Sequence, residues 1–166
     1  MNLSEFKNEI PIIFNKVKND VREVLSRQRV GLTLGLVDMG MTQGGFIGGM
    51  YYHPGTDIIM NKNPLRVILQ SQPYEITWAY TYHILLSLYL KSLGLIDEHK
   101  CREETLKVSK KIFKKADHPA IIMALNGIGY LIPNLKLTYI LPNRRHGGLK
   151  IEYITGSDEE SQSYFS

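Results

Sequence analysis

The chain has 166 residues, 43% of them hydrophobic, with 20 Lys and Arg against 16 Asp and Glu. That length suits one domain with a sizeable core, and a net charge of +4 permits an acidic partner without demanding one. Cys101 is the only cysteine, which excludes an intramolecular disulfide and gives no sign of an oxidising compartment.

The N-terminal MNLSEFKNEIPIIF places Glu5 and Glu9 ahead of a short apolar run. A signal peptide has a basic start and a longer apolar stretch, so the chain reads as cytoplasmic. Residues 4 to 27 carry Ile10, Ile13, Phe14, Val17, Val21, Val24 and Leu25 at helical spacing. Ser4 suits a cap, and Pro11 either starts or kinks the main segment. Val30 to Met39 alternates, with Leu32, Leu34 and Leu36 on one face. Its other face holds small residues, which suggests close packing. Phe46 to Tyr52 reads as a second strand with Gly48-Gly49 inside it. His53-Pro54-Gly55-Thr56 reads as a turn, and Asp57 to Asn61 as a third strand. Three strands in such close succession predict an antiparallel meander. Pro64 to Gln70 suits one helical turn or a short strand.

A long apolar helix follows from Ile76, with Gly94 as its terminator. It holds Thr77, Tyr80, Thr81, Tyr82, His83, Ser87, Lys91 and Ser92, too many polar groups for a lipid-facing span. A central helix packed on most sides explains it better. Another helix spans about Glu98 to Lys115. Asp117-His118-Pro119 then looks like a helix start, with Asp as cap, running to Asn126-Gly127. Leu135 to Leu141 and Leu149 to Ile154 alternate as strands around the loop Pro142 to Gly148. Residues 156–166 are polar and acidic and read as a flexible tail behind a single domain, 1–155.

The helix frame Ser87-Leu88-Tyr89-Leu90-Lys91-Ser92-Leu93-Gly94, with Asp97-Glu98 after it, resembles the active-site helix of small archaeal zincin-like proteins. That helix runs H-E-Y-x-H-x-L-G-x-x-D-E. Tyr89, Leu93, Gly94, Asp97 and Glu98 match the pattern. Two His four apart bind zinc from one face of such a helix, and the Glu beside the first polarises the metal-bound water. Ser87, Leu88 and Lys91 depart at all three positions. Leu cannot take a proton, and Lys repels a cation. The resemblance implies a zincin-like α+β fold, a small antiparallel sheet packed on an N-terminal helix and a central buried helix. It implies no catalytic residue, no cofactor, and a peptide or protein partner, or self-association, in the old cleft.

Rival readings stay open beside it. His occurs at positions 53, 83, 99, 118 and 146, so no two sit close enough for one element to chelate an ion. Folding could still assemble zinc ligands from His83, His118 and the acids Asp97-Glu98, making a hydrolase with a non-standard site. His83, Ser87 and Lys91 line one side of the helix, so they and His118 are the candidate ligand-binding residues. The bland reading of His83 is a helix histidine with a hydrogen-bond partner. Lys91 either pairs with Asp97 or Glu98, snorkels to water, or is desolvated as a reactive amine. Nothing in the sequence activates the Cys101 thiol. The glycines of 39–49 lack the phosphate-loop pattern and stand between strands, as a hairpin would have them. Arg144, Arg145 and Lys150, with His146, form a compact basic cluster that could contact nucleic-acid phosphates. The lysines of 107–115 read as a solvated helix face.

Overall fold

The computed structural model describes residues 1–41, 45–133, 135 and 150–154. The expectations for the strand over 135–141, the 142–148 loop with Arg144, Arg145 and His146, and the tail 156–166 fall outside the described residues.

Pro11 decides how the chain starts. It has no N–H to donate to the carbonyl of residue 7, so a continuous helix from the N-terminus cannot pass through it. The chain forms α1 (Leu3–Phe6), breaks, and restarts as α2 (Ile10–Leu25) with Pro11 in the first turn, where no N–H is needed. Asn2 rather than Ser4 caps the start, accepting from Glu5 N at 2.9 Å.

The described strands are β1 (Thr33–Val37), β2 (Gly49–Met50), β3 (Asp57–Asn61) and β4 (Glu152–Ile154), in the order β2-β3-β1-β4. The predicted meander is corrected here. β1 and β3 pair parallel, Thr33 beside Asp57 through Val37 beside Asn61, while β2 and β4 are antiparallel to their neighbours. The cause is the fully buried Asn61. Its Nδ2 donates to Gly40 O (3.0 Å) and Ile47 O (2.8 Å), and its Oδ1 accepts from Met39 N (3.0 Å). Asn63 Oδ1 adds a bond from Gly40 N at 2.6 Å. The segment after β1 is thereby carried past β3, and β2 lands on the outer side of β3 rather than beside β1. On β1, a side chain at Gly35 would run into Ile151, as the expected close packing requires.

Asn61 also caps α3 (Lys62–Ser71), which is longer than the single turn expected. The central helix is α4 (Tyr74–Ser92). It ends as predicted at Gly94, whose φ is +103°. Gly94 N donates to Lys91 O and Leu95 N to Leu90 O, the paired bonds of a Schellman stop. Asp97 caps α5 (Glu98–Phe113) through a 2.8 Å bond from His99 N. At α6 (Pro119–Asn126) the cap is His118, not Asp117: its Nδ1 accepts from Ala120 N at 3.1 Å. α7 (Ile128–Leu131) follows. The fold is α+β, with seven helices around a small mixed sheet among the described residues.

One core unites these elements. Phe14 and Val17 of α2, Leu34 and Leu36 of β1, Ile58 and Met60 of β3, and Leu85 and Tyr89 of α4 are all fully buried within it. From Ile76 to Ser92 no residue of α4 is exposed. Among the described residues no helix is long and apolar enough to cross a membrane.

Asn61→Ala would strip partners from Met39 N, Gly40 O and Ile47 O. It is expected to destabilise the protein by about 2–4 kcal/mol in urea unfolding. A loss below about 0.5 kcal/mol would mean that these bonds do not hold the segment.

Candidate functional site

The side of α4 that carries the zincin-like frame meets two neighbours. Toward the sheet edge, β2 lies so close that only glycine fits. A Cβ on Gly48 would stand 2.5 Å from Ile84 and 3.2 Å from the Tyr80 hydroxyl. One on Gly49 would stand 2.8 Å from Leu88 and 2.5 Å from the Ile59 carbonyl. The Gly48-Gly49 pair therefore serves helix contact, not turn geometry or phosphate binding. Leu88 is buried against this strand.

Toward the helical side, Ser87 and Lys91 meet the first turns of α5. Ser87 Oγ stands 3.6 Å from Cys101 Sγ, and the thiol donates to Ser87 O at 3.4 Å. Burial pushes the Cys101 thiol up from its ordinary pKa, against smaller opposing effects from Ser87 and Lys91. Lys91 Nζ pairs with Glu98 Oε1 at 2.7 Å, which answers the question left open for this lysine. The three frame residues thus do not converge on one point. Leu88 goes to the strand, while Ser87 and Lys91 go to α5. The position in front of the helix is taken by an ammonium already neutralised by its own carboxylate.

His83, one turn before Ser87, sits half-buried with its Nδ1 sealed from solvent and without a hydrogen-bond partner. The expected partner is not there. Burial pushes its pKa down to about 4, so the ring is neutral at neutral pH. The Tyr80 hydroxyl is likewise buried and unpartnered, and burial raises its pKa above the usual tyrosine range. His118 belongs to a different cluster. It stacks on Phe113 at 3.9 Å between ring centroids, with Trp78 and Tyr82 stacked on each other beside it at 5.2 Å. Its Nδ1 is committed to the α6 cap. Asp97 is committed to the α5 cap and Glu98 to Lys91. Among the described residues no three His, Cys, Asp or Glu side chains come together in a way that could hold a metal ion. His99 is exposed while Cys101 faces inward, as helix neighbours two apart must.

The basic candidates divide similarly. Lys107, Lys110, Lys111, Lys114 and Lys115 are all exposed, the first three on α5 and the last two just beyond it, as a solvated face requires. Lys150 is exposed ahead of β4, and its companions Arg144 and Arg145 lie outside the described residues. Two features escaped the sequence reading. Tyr82 OH donates to the buried Asp20 at 2.7 Å, and Asp20 is also paired with Lys16 at 3.1 Å. The Lys16–Asp20 spacing was visible as an i, i+4 pair; the tyrosine 62 residues away was not.

His83 makes stability depend on pH with a definite sign. The unfolded chain takes up its proton near pH 6.5, whereas the native state resists until about 4. Stability should therefore fall as pH drops below about 6.5, by about 1.4 kcal/mol per unit from this group, and level off below about 4. Urea titrations of the native protein and His83→Gln over that window check it. An unchanged slope in the variant would remove His83 as the cause.

Comparison with known proteins finds no matching family model, no curated relative and no solved structure of similar fold.

Proposed function

We propose that the chain is a zincin-like domain without catalytic equipment, retained to bind an extended peptide segment of another protein, or of a second copy, along the cleft side of α4 and the outer edge of β2. The observation that carries this reading is the fate of the three frame positions. Leu88 stands in the general-base position, buried where it can move no proton. Ser87 and Lys91 stand in the ligand positions and are engaged by Cys101 and Glu98. The remaining pattern supports it too. The helix stops at Gly94, and Asp97 and Glu98 each have a defined structural task.

Peptide binding is favoured by what lies beside the frame. β2 is an edge strand, antiparallel to β3 and packed against α4. Such an edge can accept an extended chain through backbone hydrogen bonds, with side-chain pockets adding specificity. Ile47, just before β2, is exposed. An apolar residue exposed at an open edge invites pairing, where a charge would discourage it.

Two experiments test separate parts of the reading. For the frame, Ser87→His with Leu88→Glu and Lys91→His should create affinity for about one zinc per chain. Glu98, released from Lys91, is then placed to assist, so adding Glu98→Gln should weaken binding. Failure of the folded triple variant to bind zinc would contradict the alignment. For the edge, peptides selected from a random-sequence phage library should lose binding to Ile47→Lys. No enrichment, or enrichment indifferent to Ile47→Lys, would contradict edge binding.

A further inference from the structure

At the pole where α4 ends, two arginines bind only uncharged oxygens. Arg29 Nη1 donates to Ser92 O at 2.7 Å and to Tyr51 OH at 2.9 Å, and its Nη2 donates to Gly55 O at 2.8 Å. Arg27 Nη2 donates to Leu93 O. The carbonyls at the negative end of the helix dipole explain why two cations gather there. Among the described residues neither guanidinium meets a carboxylate, so two positive charges stand side by side uncompensated. Val30, Tyr52 and Ile96, each next to or near one of these anchored segments, are exposed apolar side chains at the same pole.

The course of β4 says what covers this surface. β4 pairs antiparallel with β1, Leu36 beside Glu152, Gly35 beside Tyr153 and Leu34 beside Ile154. Each further residue therefore steps one place back along the chain toward Arg29. Carried onward, the same register sets Asp158 opposite Val30, Glu159 opposite Arg29 and Glu160 opposite Gln28. The sequence after β4 reads TGSDEESQSYFS, acidic at those three positions, with Tyr164 and Phe165 beyond. Gly31, with φ of +82°, turns the backbone there, so the argument needs only proximity and not a continued ladder.

We infer that the acidic C-terminal segment of this same chain is the occupant of the arginine pole. Asp158 to Glu160 supply the carboxylates that Arg27 and Arg29 lack, as charge-assisted hydrogen bonds. Tyr164 and Phe165 cover Val30, Tyr52 and Ile96. This strap is independent of the peptide-binding reading, because β2 lies at the opposite edge of the sheet. A separate acidic chain could use the arginine pair only by displacing it.

A nitroxide on Ser163→Cys in the otherwise native, isotope-labelled chain tests the strap; Cys101 is buried and stays unlabelled. Paramagnetic broadening is expected at the amides of 27–30 and 52–55 in low salt. It should vanish in Asp158→Asn/Glu159→Gln/Glu160→Gln and fall in about 1 M salt, where screening acts within about 3 Å. Arg27→Gln, at an exposed position, should weaken it without unfolding the protein. Broadening elsewhere, or undiminished in the triple variant, would overturn the strap. So would broadening that disappears when labelled chains are diluted into unlabelled ones, since the contact would then be between molecules.

Discussion

A helix with no side open to water must find a protein partner for every polar atom it carries. α4 is that helix, enclosed from Ile76 to Ser92, and much of the structure follows from meeting its demands. Tyr82 is met by Asp20 of α2, and Tyr89 donates nothing to water because its hydroxyl accepts from Arg29 N at 2.9 Å. Thr81 and Ser92 bond back to carbonyls of α4 itself, at 2.9 and 2.6 Å. Its C-terminal carbonyls are taken by Gly94, Leu95, Arg27 and Arg29. Tyr80 and His83 are the exceptions, and both lie on the side that carries the zincin-like frame. Unsatisfied buried polar groups cost stability, so their placement marks this side of the helix as the one built for something other than packing.

The same enclosure explains why that side holds no reactive group. A metal site needs several ligands aimed at one point. Here the sheet edge takes Leu88 and α5 takes Ser87 and Lys91, so the residues diverge. Lys91 paired with Glu98 puts a compensated charge pair where a metal would need a negative, open position. The Cys101 thiol beside them is held in its protonated form by burial. What remains available is shape: a glycine-lined strand edge against an apolar helix.

How legible this was in the sequence depended on whether the signal was local. The bounds of β3, the enclosed α4 and its stop at Gly94 follow from composition and spacing within a few residues, and the structure matches them. The sheet order was not legible. It turns on one side chain, Asn61, reaching back 14 and 21 residues to hold Ile47 and Gly40. An Asn at the end of a strand announces a turn, not a crossover. The cap at α6 was misassigned because Asp117 and His118 both offer an acceptor near Pro119, and only the backbone path decides between them. At the candidate site, Lys91–Glu98 was within reach of sequence reasoning, since both flank one helix end. The Ser87–Cys101 contact, made between two helices, was not.

The metal content of protein purified without chelator or affinity tag, read by plasma mass spectrometry, tests the central claim most directly. The account predicts no stoichiometric metal, because an ammonium–carboxylate pair and a buried thiol hydrogen-bonded to Ser87 occupy the face that a zincin would open to zinc. About one zinc per chain would contradict it. The ligand search would then turn to His83 and the carboxylates near the end of α4.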